Sequence, residues 1–387
     1  MKRSSERLPS AAMVSFARLA LRLAVAGAFL FAPLGSAGAA VQSKPVPGRL
    51  IVVPGGIQGF AMDGDRFVYS GGRASTVELG SFANRGQVRL GPTPDTYLSH
   101  PIALAGTRAV WGAVSEAGNS GYGKVTTGAP GTTPFDLEDI SQTYHAMGDY
   151  LTGTAGDGKT LVYAIVTVDV VRNFDGCFPA TQPPPGPQTC DYKVTKWAVK
   201  RVVGRGAVTV PNAPPSVLIA VSGNRLALVP ADRRTVTCSA DGDCPRATEP
   251  SPVKGGPVEI RDAKNGALVS KFSPKGSVRA IALSDRLTVV LVRGGSARIE
   301  RYDARTGALR GRTVISPQAA NKLSVSGDTI VYHVKTKIHV LDARTGNDSV
   351  LAASKATPIG LSVEGRRVAW AENVRGQGRI ASFVLVR

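Results

Sequence analysis

Seven times along the chain, a short apolar stretch runs into a tight polar turn and continues as a second apolar stretch. Apolar and polar positions alternate on both sides of each turn, which predicts a hairpin of two β-strands. The turns are spaced by 38 to 65 residues and centre on Gly64, Gly106, Gly158, Gly223, Ser284, Gly327 and Gly365. The pattern therefore predicts a repeat rather than a mixture of unrelated elements.

A second pair of strands follows the first pair within each repeat. Three copies share the sequence Asp-Ala-(Arg/Lys)-(Thr/Asn)-Gly, which starts at Asp262, Asp303 and Asp342 and is flanked by alternating apolar residues. Such a segment is typical of a turn between two strands. Each repeat then holds four strands, here named A to D in chain order. Four-stranded repeats with a period near 40 residues are typical of β-propellers. We therefore expect an all-β protein folded as a seven-bladed β-propeller.

The ends of the chain predict how the ring closes. The last repeat supplies strands A, B and C, and no fourth strand follows before the chain ends at Arg387. An unassigned apolar segment, Arg49–Val53, stands before the first repeat. We expect this N-terminal strand to complete the last blade, because the pairing removes two open sheet edges.

The repeat sequence also resembles a known group of proteins. The segment VSGDTIVYHV and, after it, IHVLDARTGNDSVL are similar to the repeat consensus of exported bacterial propellers of the pyrroloquinoline-quinone-type and WD-repeat-like superfamily. The resemblance covers essentially all of the chain after residue 40. The quinone enzymes usually carry Trp after the Thr-Gly, whereas this chain has Leu309 or Val350 in that region. We therefore predict no cofactor.

The first 40 residues have the pattern of a secretory signal peptide. Arg18 and Arg22 precede the apolar segment LAVAGAFLFAPLGSA, which ends in the small residues of 37–40. This arrangement predicts cleavage after Ala39 or Ala40. Residues 41–387 would then form a single domain that is secreted or held in the periplasm or cell envelope. No later stretch is apolar enough to span a membrane.

The four cysteines agree with export. Cys177 and Cys190 flank a Pro-rich loop, and Cys238 and Cys244 flank a shorter one. Both loops are B–C inserts, at about 173–192 and 231–253. Twelve and five residues separate the members of each pair, which does not match the spacing of paired zinc ligands. Two local disulfides are the expected arrangement in an oxidising compartment, although three pairings are possible in principle.

The charge of the chain is strongly positive and unevenly distributed. The formal net charge is +19, and residues 173–387 hold 32 basic and 16 acidic residues, against 10 and 11 in residues 41–172. Two interpretations remain open: attraction to an envelope polyanion through the C-terminal blades, or solvated strands in an Arg-rich sequence. Aromatic residues make up only 6%, which argues against a nucleic-acid surface.

Strand order predicts where a binding site lies. A–B and C–D turns share one face, and the B–C loops and D–A connections share the other. Two long connections, which start at Gly91 and Thr132, lie on the second face near the mouth of the central channel. The candidate ligand- or partner-binding residues on these connections are Tyr97, His100, Glu138, Asp139, Tyr144 and His145.

Two other motifs invite a chemical interpretation. GTAGDGKT, residues 153–160, fits the phosphate-loop pattern, but the β-branched sequence after it predicts a strand and hence an ordinary A–B turn. His333 and His339 are symmetric about Thr336, so we expect them to face each other across a B–C turn. No third ligand accompanies them, and we assign neither a metal site nor a catalytic residue.

Together these patterns favour a monomeric exported binding or scaffold module with a protein or envelope-polymer partner. One alternative is a lyase or hydrolase that acts at the channel mouth through His100 or His145 with Glu138 or Asp139. The other is electrostatic adhesion to an envelope polyanion through the basic C-terminal blades. The sequence does not identify a ligand.

Overall fold

The computed structural model describes residues 45–84, 86–92, 101–117, 120–143, 147–172, 188–231, 234–238 and 252–386. The predicted signal peptide, residues 1–40, lies outside these ranges, so cleavage and export stay predictions. Ser43–Arg387 form one compact unit.

The described residues of this unit form an all-β fold of 29 strands. The first thirteen are β1 (Val46–Val53), β2 (Ile57–Asp63), β3 (Arg66–Gly71), β4 (Thr76–Ser81), β5 (Gln87–Pro92), β6 (Ile102–Ala105), β7 (Arg108–Ala117), β8 (Ser120–Gly128), β9 (Phe135–Thr143), β10 (Met147–Asp157), β11 (Thr160–Arg172), β12 (Gln188–Val203) and β13 (Gly206–Thr209). The next nine are β14 (Ser216–Ser222), β15 (Arg225–Pro230), β16 (Arg234–Cys238), β17 (Val258–Asp262), β18 (Leu268–Phe272), β19 (Ser277–Leu283), β20 (Leu287–Arg293), β21 (Ala297–Asp303) and β22 (Leu309–Ile315). The last seven are β23 (Ala319–Ser326), β24 (Thr329–Val334), β25 (Lys337–Asp342), β26 (Asp348–Ala353), β27 (Gly360–Glu364), β28 (Arg367–Val374) and β29 (Gln377–Val384).

These strands form a β-propeller, but the prediction of seven blades is wrong. The structure has five four-stranded blades: β2–β5, β14-β15-β17-β18, β19–β22, β23–β26, and β27–β29 with β1. All the strands from β6 to β13 instead belong to one nine-stranded sheet, in which β16 also pairs with β12. The expected second and third blades are joined because β9 pairs with β10 through Met147–Thr143 and Gly148–Gln142.

The strand β9 also corrects the prediction for the segment that starts at Thr132. We expected a D–A connection there, but Phe135–Thr143 pairs along its length with β8, with a register shift next to Val125. Leu137 and Ile140 pack in the core cluster of this sheet. Several residues of 135–143 are polar, so the sequence does not show the alternation that predicts a strand. Their backbone groups nevertheless pair with β8.

The N-terminal strand β1 forms the fourth strand of the last blade. It pairs antiparallel with β29, and residue pairs such as Ile51–Ile380 and Val53–Gly378 join the two ends of the chain. The Asn373 side chain accepts the Ile57 N–H at 2.8 Å and donates to the Ile57 carbonyl at 2.9 Å, which ties this blade to the next one. Strand β29 therefore has a partner on both sides.

A large buried side chain recurs at one position of the B strands. The fourth residue of five B strands is an aromatic residue that is at most 3% exposed: Tyr69, Trp111, Tyr163, Tyr332 and Trp370. Each lies opposite an A-strand residue, as in the pairs Phe60–Tyr69, Ile102–Trp111 and Leu361–Trp370. Because burial of such a side chain contributes strongly to stability, this position fixes the register of the A–B hairpins.

The turns predicted from the repeated Asp-Ala-x-x-Gly sequence are confirmed. In the turn that starts at Asp303, one carboxylate oxygen accepts the N–H groups of Arg305 and Thr306, both at 2.9 Å. The turns at Asp262 and Asp342 repeat this geometry. The Ala304 N–H donates to the Arg286 carbonyl at 2.9 Å, which ties the C–D turn to the A–B turn of its own blade.

The phosphate-loop-like segment is the predicted A–B turn. Strand β10 ends at Asp157, β11 begins at Thr160, and the two residues pair across Gly158 and Lys159. Gly158 has φ 59°, the left-handed conformation that such a turn needs. No helix follows, so the segment does not offer a helix N-terminus to a phosphate.

Candidate functional site

The strand directions give the propeller two distinct ends. The A–B and C–D turns lie at one end, which we call the turn end. The B–C and D–A connections lie at the other, which we call the loop end. Between them runs a central cavity of about 320 Å³. The residues around it come from the innermost strands β2, β6, β10, β14, β19, β23 and β27 and from the turns after β19 and β23.

Side chains at the turn end of this cavity connect successive hairpins. The Asp63 carboxylate accepts the N–H of Gly106, and the Asp157 carboxylate accepts the N–H of Gly223 at 2.7 Å. Both acids are the last residues of their A strands. The Ser326 hydroxyl has the same role toward Gly365, at 2.9 Å. These groups therefore hold neighbouring turns together.

Glu364 occupies the equivalent position in the last blade but differs in its surroundings. Its carboxylate has no hydrogen-bond partner among the described residues, and it lines the central cavity. Burial, followed by the negative charges of Asp157 and Asp63, raises the pKa of Glu364 to about 8. At neutral pH this carboxyl therefore holds a proton and can donate a hydrogen bond into the cavity.

The acidic residues around the cavity do not form a metal centre. Within the part of the chain that the structure describes, no group of three or more His, Cys, Asp or Glu residues has an arrangement that could hold a metal ion.

Only two of the predicted site residues fall within the described ranges. Tyr97, His100, Tyr144 and His145 lie outside them, so their role stays a prediction. Glu138 and Asp139 lie in the middle of β9 and do not line the central cavity.

The Glu138 carboxylate is already paired. It accepts a hydrogen bond from the Lys200 ammonium group and a second, at 3.3 Å, from the Tyr163 hydroxyl. Burial, together with this carboxylate, raises the pKa of Tyr163 above its usual range. The neighbouring Asp139 is exposed and pairs in register with Lys124. Glu138 thus joins strands β9, β11 and β12 within the nine-stranded sheet.

The cysteine prediction is only partly covered by the described residues. Cys190 lies in β12 and Cys238 in β16, and these strands pair with Cys190 opposite Val236 and Gln188 opposite Cys238. Cys177 and Cys244 lie outside the described ranges. The two local disulfides stay a prediction.

The prediction that His333 and His339 face each other across a B–C turn is wrong. Tyr332 pairs with His339, and His333 pairs with Ile338, so successive residues place the two histidines on opposite faces of the sheet. His339 stacks on the Tyr332 ring, and Asp348 accepts a hydrogen bond from the Tyr332 hydroxyl at 2.5 Å. His333 is 1% exposed, and burial lowers its pKa.

Several basic residues of the C-terminal half neutralise acidic residues within their own blades. Glu300 is fully buried and accepts hydrogen bonds from Arg298 at 2.6 Å, from Arg312 at 3.0 Å and from the Tyr302 hydroxyl at 2.5 Å. Burial alone would raise the pKa of Glu300, but the hydrogen bonds outweigh it and lower the pKa. These two arginines therefore neutralise a buried acid of their own blade.

A second cavity, of about 300 Å³, lies at the turn end of the nine-stranded sheet. Its walls include Arg108, Arg205 and Phe135, together with Thr127, Gly128, Thr132 and Thr133. The Arg205 guanidinium lies 5.7 Å from the centroid of the Phe135 ring, and Arg108 donates to the Gly204 carbonyl. Neither arginine has a carboxylate partner among the described residues. We call this cavity the turn-end pocket.

Sequence reasoning missed both the position of Glu364 and the turn-end pocket. An alignment of the seven hairpins on their turn residues would have shown Asp63, Asp157 and Glu364 at one shared position. The pocket had no comparable signal, because Arg108, Phe135 and Arg205 are far apart in the chain. Phe135 had also been assigned to a connection rather than to a strand.

Comparisons with known proteins identify no family. No family model matches the chain, and no curated protein does either. Among solved structures, the chain is similar to one in the crystal structure of the mitotic checkpoint complex, with 12% identity, 93% of this chain and 99% of that chain covered, and a TM-score of 0.49. It is also similar to the WD40 β-propeller domain of Doa1, with 10% identity, coverages of 87% and 96%, and a TM-score of 0.48. A third similarity is to Sqt1 of Saccharomyces cerevisiae, with 11% identity, coverages of 87% and 98%, and a TM-score of 0.43.

The described ranges contain no α-helical segment with the length and hydrophobicity that crossing a bilayer requires.

Proposed function

We propose that this chain is an exported, monomeric binding or scaffold propeller of the cell envelope or extracellular space, and that it holds a protein partner without transforming it. The observation that carries the proposal is the turn-end pocket. Its two arginines lack carboxylate partners among the described residues, and Phe135, which is 40% exposed, provides an apolar wall beside them.

The chemistry of the pocket suggests which partner group it takes. A guanidinium group binds carboxylates through paired hydrogen bonds, and an exposed aromatic ring next to it favours an apolar segment. A volume of about 300 Å³ fits one or two side chains rather than a folded element. We therefore propose that an acidic side chain of a protein partner, with an apolar neighbour, enters the pocket.

The test compares two charge reversals at equivalent turns. Arg205 and Arg305 are both exposed residues of C–D turns, but only Arg205 lines the pocket. The full chain and the variants Arg205→Glu and Arg305→Glu are used to capture proteins from an envelope extract. We expect Arg205→Glu to abolish capture of a defined partner that Arg305→Glu retains. Equal capture by the wild type and both variants would contradict the proposal.

The alternative of a lyase or hydrolase at the channel mouth gains no support from the described residues. It needs an acid at the channel mouth that is free to act with His100 or His145. The Glu138 carboxylate is engaged by Lys200 and Tyr163, and Asp139, although exposed, does not line the central cavity. Export is tested separately: fractionation of cells that express the full chain, followed by N-terminal sequencing, is expected to find a mature protein that begins after Ala39 or Ala40.

A further inference from the structure

The connections at the loop end carry an unusual charge distribution. From residue 252 to residue 386, the segments that join strands at this end contain no Asp or Glu. Five of these segments each contain one exposed cation: Lys254, Lys275, Lys335, Lys355 and Arg375. None of these side chains has an ion-pair partner among the described residues. The positive charge here is therefore not neutralised locally.

Two carboxylates of residues 252–386 lie close to this end, and both are occupied. Glu259, the second residue of β17, is buried and pairs with Arg261 at 2.7 Å and with Lys271 at 3.2 Å. Glu372 is 2% exposed and accepts the backbone N–H groups of Lys355 and Ala356 at 2.5 and 2.8 Å. Its other oxygen lies 3.9 Å from the Arg379 guanidinium. It stabilises the backbone that presents Lys355 and leaves the exposed ammonium groups unpaired.

The backbone provides a second, independent observation. Lys335 and Arg375 have φ of 53° and 51°, the left-handed conformation that a residue with a side chain adopts at a cost in free energy. At the turn end, six A–B turns have glycine at φ between 55° and 62°. Two turns of the loop end thus hold a cation where glycine would avoid strain, and retained strain points to a functional constraint.

Two exposed apolar side chains lie at the same end of the propeller as these cations. Val52 and Val314 are the penultimate residues of the outer strands β1 and β22, at the loop end, and are 55% and 72% exposed. Cations around scattered apolar groups suit the interface of a lipid bilayer, where headgroup phosphates and acyl chains lie close together. The cations belong to connections of four blades rather than to one groove, which favours a flat charged surface over a threaded polymer.

We infer that the loop end of residues 252–386 is a docking surface for an anionic phospholipid bilayer, contacted by Lys254, Lys275, Lys335, Lys355 and Arg375. The surface lies at the opposite end from the turn-end pocket, so the inference stands or falls independently of the proposed protein partner. Each cation near such a surface strengthens binding about fivefold at moderate salt.

The experiment measures binding of the full chain to phosphatidylglycerol–phosphatidylcholine vesicles and to pure phosphatidylcholine vesicles at low and high salt. The test variant Lys335→Gly/Arg375→Gly removes two cations from the loop end. The matched control, Lys264→Ala/Arg305→Ala, removes two exposed cations from C–D turns at the turn end. All the proteins carry the same N-terminal segment, so differences in vesicle binding between them arise from the substituted turns alone.

We expect the loop-end double variant to bind anionic vesicles roughly 25-fold more weakly and the control less than twofold more weakly. Wild-type binding is expected to fall steeply with salt and to be weak on pure phosphatidylcholine. Glycine relieves the left-handed strain, so the thermal midpoint of Lys335→Gly/Arg375→Gly is not expected to fall. If it does fall, Lys254→Ala/Lys275→Ala repeats the test at positions that are not left-handed.

Three results would overturn the inference. The first is equal weakening by the loop-end and turn-end variants, and the second is unchanged binding by both loop-end pairs. The third is binding of a soluble poly(glycerol phosphate) that depends on Lys335 and Arg375 while the vesicles bind no better than neutral ones. That result would identify a phosphate polymer rather than a bilayer as the occupant.

Discussion

The two ends of the propeller are built from the same repeats but treat charge differently. At the turn end, some acids pair with cations, as in Arg310–Asp303 at 2.7 Å and Arg367–Asp65 at 2.9 Å, while Arg205 has no carboxylate partner among the described residues. At the loop end of residues 252–386, the cations of the connections have no ion-pair partner among the described residues, and the nearby Glu259 and Glu372 are buried. The difference shows that the turn end presents both signs of charge, whereas the connections of the loop end present positive charge alone.

The comparison also revises how the net charge of +19 is understood. The sequence suggested a division between an N-terminal and a C-terminal half. In the structure, much of the C-terminal positive charge at the turn end and inside the blades is paired with acids, as around Glu300. Position along the chain alone therefore does not tell which cations have an acidic partner.

The largest expected effect concerns Glu372, on which the backbone of the loop end depends. Glu372→Ala leaves two part-buried backbone N–H groups and Arg379 without their acceptor, and we expect the free energy of unfolding to fall by about 3 kcal/mol. Denaturant unfolding measures the change. Glu372→Gln keeps one acceptor oxygen and is the matched control, with a smaller loss. The prediction would be contradicted if Glu372→Ala lowered the free energy of unfolding by less than Asp303→Ala, a variant of a turn-end carboxylate.

The next effect is a pH dependence that arises at the turn end. The pKa of Glu364 is raised to about 8 in the folded protein, from an ordinary value of 4.5. Between these values the folded state binds more protons than the unfolded state, so stability falls as pH rises from 4.5 to 8. The maximum slope for one proton is about 1.4 kcal/mol per pH unit.

Glu364→Gln isolates this contribution. The variant keeps the shape of the side chain but has no titrating proton, so we expect a flatter stability profile between pH 5 and 8 and a gain over the wild type at pH 8. Thermal unfolding across that range gives the comparison. The carboxyls with lowered pKa, such as Asp303 and Asp342, act below this window, and the lowered pKa of His333 contributes equally to both proteins. Identical profiles for both proteins would refute the assignment.

A smaller effect is expected where the turn end uses a carboxylate to shape a turn. Asp303→Ala removes the acceptor for the Arg305 and Thr306 N–H groups and the partner of Arg310, and we expect a loss of about 1 kcal/mol. Chemical denaturation reports it. The control Arg310→Ala removes only the exposed ion pair and is expected to cost less. Equal losses would assign the effect to the ion pair rather than to the turn.

The smallest effect concerns strain at the loop end. Lys335→Gly replaces a left-handed residue with one that adopts φ near 53° without penalty, and we expect a gain of up to about 1 kcal/mol in stability. Lys337→Gly, two residues away and at the start of a strand, is expected to destabilise the protein instead. The thermal unfolding midpoints of the two variants, compared with that of the wild type, measure these opposite changes in stability. A loss of stability in Lys335→Gly would show that its backbone is not strained.

The sequence was informative wherever a local rule fixed the backbone. The glycines of the A–B turns, the Asp-Ala-x-x-Gly turns and the strand character of residues 160–172 follow from turn chemistry and β propensity. These signals are short-range, so a single sequence reveals them.

What the sequence did not reveal depends on pairing between distant segments. Strand β9 is polar enough to look like a connection, and only its ladder with β8 and its two-residue contact with β10 show that two expected blades are one sheet. The register that separates His333 from His339 also depends on strand pairing rather than on spacing. The turn-end pocket combines residues 108, 135 and 205, which no local pattern relates.

The pairing of β1 with β29 has a consequence for the order of events during synthesis. Strand β1 is made before the other described strands, whereas its partner β29 is made after them. The backbone of β1 must therefore stay hydrogen-bonded to water until β29 has been synthesised, and long-range pairings of this kind form slowly. Synthesis of β29, rather than any earlier step, is the event that lets the last sheet close.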